Sequence, residues 1–160
     1  MPAADDFKAV MRHYPTGVTV VTSMKDGQPR GVTVNAFCSV SADPPTVLIC
    51  INREARSYLY ISTSKIFCVN VLAADQIDLA ERFSGKLRER QFEDVAFSVD
   101  KTGAAVLAGT VAHLDCEVLE EHHVSSHSIF IGRVLSCSAR VGVPLGYFNS
   151  GFHDFALRVQ

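Results

Sequence analysis

The residues best suited to bind a ligand lie within residues 33–52, which read TVNAFCSVSADPPTVLICIN. The segment opens with the alternation of a strand, and the pattern breaks after Asn35, where no clean period remains. Two consecutive prolines then end this part of the chain, because proline cannot donate to a β-ladder. The polar groups of Thr33, Asn35 and Ser39 therefore stand at an elbow between two strands. They are satisfied either within the fold or by a flat ligand with a polar edge.

Arg56 and Ser57 form a second polar group, at the predicted start of a helix. The free amides and the dipole of a helix N-terminus favour an anion, and arginine can bind a phosphate through two parallel hydrogen bonds. These two residues are a candidate phosphate site, and an exposed, capped helix explains them equally well. The turn at Phe83, Ser84 and Gly85 is a weaker candidate for anion binding, since it lacks the Walker spacing.

The histidines are the remaining groups that could do chemistry. His127 opens an apolar strand directly after a polar turn, and side chains at such places project into clefts. A histidine bonded to a carbonyl at a strand edge is equally compatible with this position. His122 and His123 have no further ligand at a recognisable interval, so we expect no metal site. No Ser or Cys forms a nameable hydrolase motif with a histidine and an acid, which leaves nucleophilic catalysis without support.

The composition indicates one ordinary globular domain covering residues 1–160. Hydrophobic residues make up 48% and charged residues 20% of the chain, and the formal net charge is -2. This balance argues against nucleic acid or an anionic membrane as a partner, and no apolar run approaches the roughly 20 residues of a membrane helix. The N-terminus lacks the apolar region of a signal peptide, and the five cysteines never form C-x-x-C. We therefore expect a cytoplasmic protein with free, mostly buried thiols.

Hydrophobic periodicity predicts a mainly β chain with a few short helices. The predicted strands cover residues 18–23, 31–34, 47–51, 66–72, 110–121, 127–138 and 145–148. The predicted helices begin at Asp5 or Asp6, near Ser57 and at Asp75, and polar segments at residues 86–94 and 120–126 are predicted to be a mobile loop and a turn. Many strands with hairpin-like connections favour an antiparallel barrel with peripheral helices.

Three predicted elements have apolar faces that need cover. The helix over residues 75–83 directs Ile77, Ala80 and Phe83 inward, and the strands at 47–51 and 66–72 have no polar face. A barrel of this size exposes one side of some strands, so uninterrupted apolar strands suggest that a further layer covers them. Helices of the same chain could form that layer, but only three short ones are predicted.

Several short motifs follow one another in a definite order along nearly the whole chain. They are Pro15-Thr16-Gly17-Val18, residues 33–41 with Pro44-Pro45, Asn52, Ser57, FCVNVL at 67–72, Leu79-Ala80, Phe83-Ser84-Gly85, His127 with IFIGRV at 129–134, and Pro144-Leu145 with Tyr147-Phe148. In order and spacing they resemble the short-chain flavin reductases, the reductase components of two-component flavin-dependent monooxygenases. One departure is that Ser125 and Ser126 precede His127, where that family often has Gly-Asp.

The resemblance implies a fold and an activity. The fold is an FMN-binding split β-barrel, antiparallel and Greek-key-like, that forms a homodimer with flavin near the interface. The activity is that of an NAD(P)H:flavin oxidoreductase, which transfers hydride from NADH or NADPH to FMN or FAD and supplies reduced flavin to a partner monooxygenase. A non-catalytic flavin-binding or storage protein of the same fold is the alternative, and a pure ligand-binding or assembly domain stays open as well.

The resemblance also implies roles for individual residues. Those expected at the polar edge of the flavin ring are Thr33, Val34, Asn35, Ala36, Ser39 and Asn52. Those expected at the flavin phosphate are Arg56, Ser57, Phe83, Ser84 and Gly85. His127, as the catalytic residue, and Phe152 are expected on the nicotinamide side. Since no acidic neighbour adjoins it in the sequence, His127 is expected to act by hydrogen bonding and packing and not as an obligatory general acid.

Overall fold

The computed structural model describes residues 1–86 and 90–155, apart from the Lys86 side chain. The helices are α1 (Ala4–Met11), α2 (Arg56–Ser64) and α3 (Ile77–Glu81), and a kinked turn with a non-helical Gly85 follows at Arg82–Lys86. The strands are β1 (Thr16–Gly17), β2 (Thr19–Lys25), β3 (Gln28–Val34), β4 (Phe37–Ala42), β5 (Pro45–Asn52), β6 (Ile66–Val71), β7 (Phe97–Val99), β8 (Ala105–Leu107), β9 (Ala112–Val124), β10 (His127–Ala139), β11 (Leu145–Phe148) and β12 (Gly151–Asp154). Among these described helices, none has both the length and the apolar character needed to cross a membrane.

The main sheet has seven antiparallel strands in the order β3-β2-β6-β9-β10-β5-β4. A three-stranded sheet, β1-β11-β12, and a two-stranded sheet, β7-β8, accompany it. Neighbours that are distant in the chain, such as β2 with β6 and β5 with β10, give the sheet its Greek-key character. Over the described residues the hydrogen-bonded order ends at β3 and β4, so the barrel is split rather than closed. The prediction of a mainly β chain with few helices is confirmed.

Strand β2 lies at the centre of the fold, with an apolar cluster on each of its faces. Successive residues of a strand point to opposite faces, so Val20 and Val21 enter different clusters. Val21 packs in the cluster that contains Phe130, and Val20 packs in the one that contains Phe83 and Leu145. Fully burying a side chain of this size contributes about 1.5–3 kcal/mol. The central strand is therefore fixed from both sides.

A buried asparagine satisfies the backbone where β2, β6 and β8 meet. Asn70 Nδ2 donates to the Val20 carbonyl and to Thr22 Oγ1, each at 3.1 Å, and Asn70 Oδ1 accepts the Leu107 N–H at 2.8 Å. A polar side chain is tolerated in a core when its hydrogen-bonding groups are paired in this way. Asn70 thus ties β8 to the main sheet.

One prediction about residues 75–94 is wrong. Ile77 is 39% exposed and does not face inward, because α3 is only five residues long and only Ala80 of this helix is buried. The described part of the predicted loop is a turn at residues 91–94, and it contains Gln91, which is 7% exposed and accepts a hydrogen bond from Arg30. Residues 87–89 of the predicted loop lie outside the described residues.

Two other segments differ from expectation. The polar segment at 120–126 is a turn only at Ser125 and Ser126, because residues 120–124 continue β9 and pair with β10. The thiols of Cys38 and Cys137 are exposed, whereas those of Cys68 and Cys116 are buried as predicted.

The described residues leave the apolar face of α1 exposed and cover one face of β5 only in part. Helix α1 has no buried residue, and Phe7, Val10 and Met11 are all exposed. On β5, burial alternates, so Leu48 and Cys50 are only half-buried. The expectation that β6 is buried on both faces is confirmed, since its four central residues are all buried.

Gly132 on β10 packs directly against the ring of Phe67. A Cβ at this position would overlap the ring of Phe67, which is fully buried. Because the ring cannot move in a packed core, we expect Gly132→Ala to lower the free energy of unfolding by about 1–3 kcal/mol. Gly17→Ala is the matched control, since a Cβ there meets nothing within 4 Å. Urea denaturation measures both variants, and equal stabilities would contradict the prediction.

Candidate functional site

Two adjoining cavities lie between β3, the start of α2 and the segment that follows α3. The first, of about 450 Å³ and here called the arginine cavity, is lined by Arg30, Gly31, Val32, Asn52, Glu54, Ala55, Arg56, Ser57, Phe83, Ser84, Gly85 and Gln91. The second, of about 490 Å³ and here called the aromatic cavity, is lined by Val18, Thr33, Val34, Asn35, Glu81, Ser84, Tyr147, Ser150 and Phe152. Ser84 lines both, so the two cavities adjoin at this residue.

The start of helix α2 forms one wall of the arginine cavity. Arg56 and Ser57 are the first two residues of this helix, and no side chain caps its N-terminus at Ala55. Ser57 is only 3% exposed, and its hydroxyl oxygen has no hydrogen-bond partner among the described groups. A buried polar group without a partner calls for an explanation, and a bound ligand is one. A guanidinium, a hydroxyl and free helix amides together suit an anion such as phosphate.

Gly31 on β3 leaves space for the Phe83 ring, which lines the arginine cavity. A Cβ on Gly31 would lie 2.7 Å from Cδ1 of Phe83, so only glycine lets the Phe83 ring pack this closely against β3. Phe83 is buried and also meets Phe92 edge-on, with ring centroids 5.1 Å apart. The backbone turns at Gly85, whose φ of 108° favours glycine. Phe83 therefore shapes the cavity, and Ser84 and Gly85 form its rim.

Sequence reasoning missed a second arginine in this cavity. Arg30 Nη1 donates to Gln91 Oε1 at 3.3 Å, and the guanidinium carbon lies 5.6 Å from the centroid of the Tyr60 ring. The sequence gives little sign that Arg30 belongs to the site, beyond its positive charge in the strand that leads into the elbow. Gln91 gave no signal, since it lies in a charged segment 61 residues farther along the chain.

The elbow after β3 forms one side of the aromatic cavity. Thr33, Val34 and Asn35, which are predicted to lie together at a ligand, line this cavity. Phe152 lines the same cavity. Phe152 pairs directly with Tyr147 in the β11–β12 hairpin, and their rings meet edge-on at 5.6 Å. The cavity thus combines two aromatic rings with polar backbone and side-chain groups, which suits a flat ligand with a polar edge.

Several predicted site residues already have partners within the fold. The Thr33 hydroxyl donates to the Ala80 carbonyl at 2.6 Å, which joins β3 to α3. Asn52 lines the arginine cavity, and its Oδ1 accepts the Glu54 N–H at 2.9 Å. The Ser84 hydroxyl donates to the Glu81 carbonyl at 2.7 Å and closes the turn after α3. These groups hold the shape of the site and keep part of their hydrogen-bonding capacity for a ligand.

Two predicted residues lie outside both cavities. Ala36 is exposed, and its carbonyl accepts the Cys50 N–H at 3.0 Å. Ser39 is exposed on the edge strand β4, opposite Val47. The structure therefore brings together most of the predicted cofactor residues but not these two.

His127 stands beside the arginine cavity and does not line it. It opens β10 directly opposite Asn52 and is exposed, and its Nδ1 lies 2.9 Å from Ser126 Oγ. The neighbouring His122 and His123 contact Glu120 and Glu121 at 2.7 and 3.1 Å. Within the described ranges, no group of three His, Cys, Asp or Glu side chains could hold a metal ion.

The buried thiols are not available as nucleophiles. Burial, reinforced by the charge of Asp115, raises the pKa of Cys116 to about 12. Burial also strongly raises the pKa of Cys68. Since the thiolate is the reactive form, both groups stay protonated and inert at neutral pH.

Glu121 of β9 joins helix α2 to the main sheet. Burial by itself would raise the pKa of Glu121, but hydrogen bonds from Tyr58, Lys65 and His123 outweigh it and lower the pKa. Tyr58 lies in the first turn of α2, and Lys65 follows its last residue. The carboxylate of Glu121 thus holds α2, which carries Arg56 and Ser57, against the sheet.

Comparison with known proteins gives consistent matches over almost the whole chain. The model of the flavin reductase like domain matches residues 11–156. The reductase component of a 4-nitrophenol 4-monooxygenase/4-nitrocatechol 2-monooxygenase of Rhodococcus opacus is 35% identical over 150 residues, covering 94% of this chain and 80% of that one. The FMN reductase (NADH) SmoA of Agrobacterium fabrum is also 35% identical over 150 residues, covering 94% and 85%.

A solved structure agrees in both sequence and fold. The NADH:FAD oxidoreductase SgcE6 of Streptomyces globisporus, in complex with NAD and FAD fragments, superposes with a TM-score of 0.91 and is 34% identical. The match covers 98% of this chain and 94% of that one. The predicted split-barrel class is confirmed by this likeness.

Proposed function

The chain belongs to the flavin reductase-like domain family and is an oxidoreductase, and from this premise we propose that it transfers hydride from NADH to FMN or FAD. The observation that carries the proposal is the Ser57 hydroxyl, which is buried beside Arg56 at the arginine cavity and has no partner among the described groups. A flavin phosphate is the anion that this position suits. We also propose a separate monooxygenase as the partner that receives the reduced flavin, because one relative is named the reductase component of a monooxygenase.

The two cavities match the two chemical parts of a flavin nucleotide. The arginine cavity offers Arg56, Ser57 and the amides at the start of α2 to the phosphate. The aromatic cavity offers the elbow residues Thr33 and Asn35 to the ring system. Bound flavin supplies the redox chemistry by accepting a hydride from NADH, while the protein supplies position and electrostatics.

The described residues need to do little in the hydride transfer itself. Direct transfer between two cofactors requires no protein nucleophile, and the buried thiols Cys68 and Cys116 are inert. We assign the nicotinamide side to Phe152, in the aromatic cavity, and to His127, beside Asn52. His127 acts there by hydrogen bonding and packing, since it is exposed and its partner is the neutral Ser126.

We also propose that the protein is a homodimer. Cys50 pairs with Ile129 and Leu48 with Ile131, so these four half-buried side chains form one apolar patch on the outer face of β5 and β10. The alternate residues of the same strands, such as Phe130, are buried in the core. A second copy of the chain would cover this patch. A cytoplasmic setting fits the same proposal, because it supplies NADH and keeps the five free cysteines reduced.

The activity is tested by following the consumption of NADH in air with added FMN, FAD or riboflavin. We expect oxidation of NADH that depends on added flavin, because hydride transfer needs both cofactors in the site. Each nicotinamide without flavin is the control. If no combination of nicotinamide and flavin gives a flavin-dependent rate, the proposed reductase activity is wrong. Flavin binding without turnover would favour a flavin-storage protein.

The phosphate site is tested by measuring flavin affinities of Arg56→Ala and Ser57→Ala. We expect Arg56→Ala to weaken FMN binding by about 1.5–3 kcal/mol and Ser57→Ala by about 0.5–1.5 kcal/mol, because a charged hydrogen bond contributes more than a neutral one. Riboflavin, which lacks the phosphate, should bind almost as it does to the unaltered protein. Arg53→Ala is the matched control, since Arg53 bonds the Ser125 carbonyl and does not line either cavity. Equal losses for FMN and riboflavin would place the phosphate elsewhere.

The dimer is tested by light scattering at micromolar concentration. We expect a particle of two chains, each of 17.4 kDa. Ile129→Lys should yield monomers, because it puts a charge into the apolar patch, whereas Leu59→Lys on the exposed face of α2 should not. A 17.4 kDa particle for the unaltered protein would contradict the homodimer.

A further inference from the structure

We propose that the arginine cavity binds a diphosphate, and that Arg30 is the residue that makes the protein prefer FAD to FMN. The inference rests on the proposed function and deepens it, because the first flavin phosphate is already assigned to Arg56 and Ser57. It starts from the second guanidinium group of the cavity, that of Arg30. A single phosphate is served by Arg56, Ser57 and the amides at the start of α2, so a second arginine in the lining calls for another role.

The arginine cavity is larger than one phosphate requires. Its volume is about 450 Å³. Since one water molecule takes about 30 Å³ of the liquid, this volume corresponds to roughly fifteen water-sized groups, of which a phosphate fills about a third. The rest of the polar lining includes Arg30, Glu54 and Gln91. The cavity therefore has both the space and the polar side chains for a second phosphate and the sugar attached to it.

The guanidinium group of Arg30 is held in place by contacts within the fold. Its Nη1 donates to Gln91 Oε1 at 3.3 Å, and its central carbon lies 5.6 Å from the centroid of the Tyr60 ring. Arg30 is half-buried, and Gln91 is only 7% exposed. A guanidinium that stacks on a ring and bonds a buried amide loses little freedom when it binds an anion. Arg30 is thus prepared for a ligand before the ligand arrives.

The two arginines approach the same face of helix α2. Tyr60 follows Arg56 by four residues, so these two side chains lie on one face of α2, about one turn or 5.4 Å apart along its axis. Arg30 lies over the Tyr60 ring and therefore stands one turn farther from the helix start than Arg56. A phosphate at the start of α2 has Arg56 beside it, and a second phosphate joined to the first extends towards Arg30. A diphosphate uses both arginines in this arrangement.

The contacts of Arg30 also tie β3 to α2 and to residue 91, so its replacement affects stability as well as binding. A role in packing alone would weaken FMN and FAD equally, because both place their first phosphate at the start of α2. A contact with the second phosphate weakens only FAD. The ratio of the two affinities, measured in the same variant, therefore separates the two roles.

The test measures FAD, FMN and riboflavin affinities by isothermal titration calorimetry. We expect the unaltered protein to bind FAD at least about tenfold more tightly than FMN. Arg30→Gln should weaken FAD about 10- to 100-fold, as the loss of a charged hydrogen bond does, and FMN less than about threefold. Arg30→Lys, which keeps the charge, should lose less FAD affinity than Arg30→Gln. Unchanged riboflavin affinity in each variant shows that the ring site is intact.

Arg53→Ala is the matched control for charge, since Arg53 bonds the Ser125 carbonyl and lines neither cavity. We expect this variant to keep the preference for FAD. Equal affinities of the unaltered protein for FMN and FAD would overturn the proposal. Equal losses of FMN and FAD in Arg30→Gln would also overturn it and leave Arg30 as a packing residue.

A second measurement uses ADP, which carries the diphosphate without the flavin ring. We expect ADP to displace FMN from the unaltered protein at a concentration about tenfold lower than AMP, which has one phosphate. Arg30→Gln should remove this difference, because ADP then gains no contact at its second phosphate. ADP that competes no better than AMP with the unaltered protein would overturn the diphosphate site.

NADH also contains a diphosphate, and turnover distinguishes it from FAD as the source. With saturating FMN, we expect Arg30→Gln to leave the KM for NADH within about twofold of its value in the unaltered protein. A raised KM for NADH together with an unchanged ratio of FAD to FMN affinity would assign Arg30 to NADH and overturn the preference for FAD. If no flavin supports NADH oxidation but FAD still binds through Arg30, the proposed function fails and the diphosphate site stands.

Discussion

The packing of the Phe83 ring on Gly31 is the contact on which both cavities depend. It brings the segment after α3 against β3, and a Cβ on Gly31 would come within 2.7 Å of that ring. The hydrogen bond from Thr33 to the Ala80 carbonyl, 2.6 Å long, fixes the same two elements one turn away. Ser84 follows Phe83 directly and lines both cavities. A change that lifts this segment from β3 would therefore open the arginine and aromatic cavities into one.

The two cavities differ in the charged side chains that line them. The whole chain has a formal net charge of -2, yet two arginines, Arg30 and Arg56, line the arginine cavity against one carboxylate, Glu54. The described lining of the aromatic cavity includes Glu81 and two aromatic rings, with no Arg or Lys. A ligand with an anionic tail and a flat, neutral ring therefore has one favourable orientation in the site. The charge pattern sets that orientation more than the overall charge does.

Much of the site could be predicted because its signals are local. Arg56 and Ser57 were identified from the start of a helix, and Thr33 to Asn35 from a break in a strand pattern. What could not be predicted depends on partners far along the chain. Arg30 and Gln91 are 61 residues apart, and Thr33 finds its hydrogen-bond acceptor 47 residues away. No sequence period carries such pairings.

The same limit explains where the structure departs from expectation. Ser39, which the polar elbow and the resemblance predict at the ligand, is exposed on the edge strand β4 and lines neither described cavity. The segment 120–126 is predicted to be a turn because it is polar, yet residues 120–124 pair with β10 and are strand. In each case the register with a neighbouring strand decided the outcome.

The pairing of polar groups at the site also bears on how tightly it can hold flavin. Thr33, Asn52 and Ser84 already have hydrogen-bond partners within the fold, so the site keeps its shape without a ligand. Each such group gains little when a ligand arrives, because a net hydrogen bond contributes only about 0.5–1.5 kcal/mol. Ser57 is different, because its buried hydroxyl has no described partner to exchange. On the proposed function, affinity therefore rests on a few contacts at the phosphate, and a flavin held in this way can leave for a separate oxygenase.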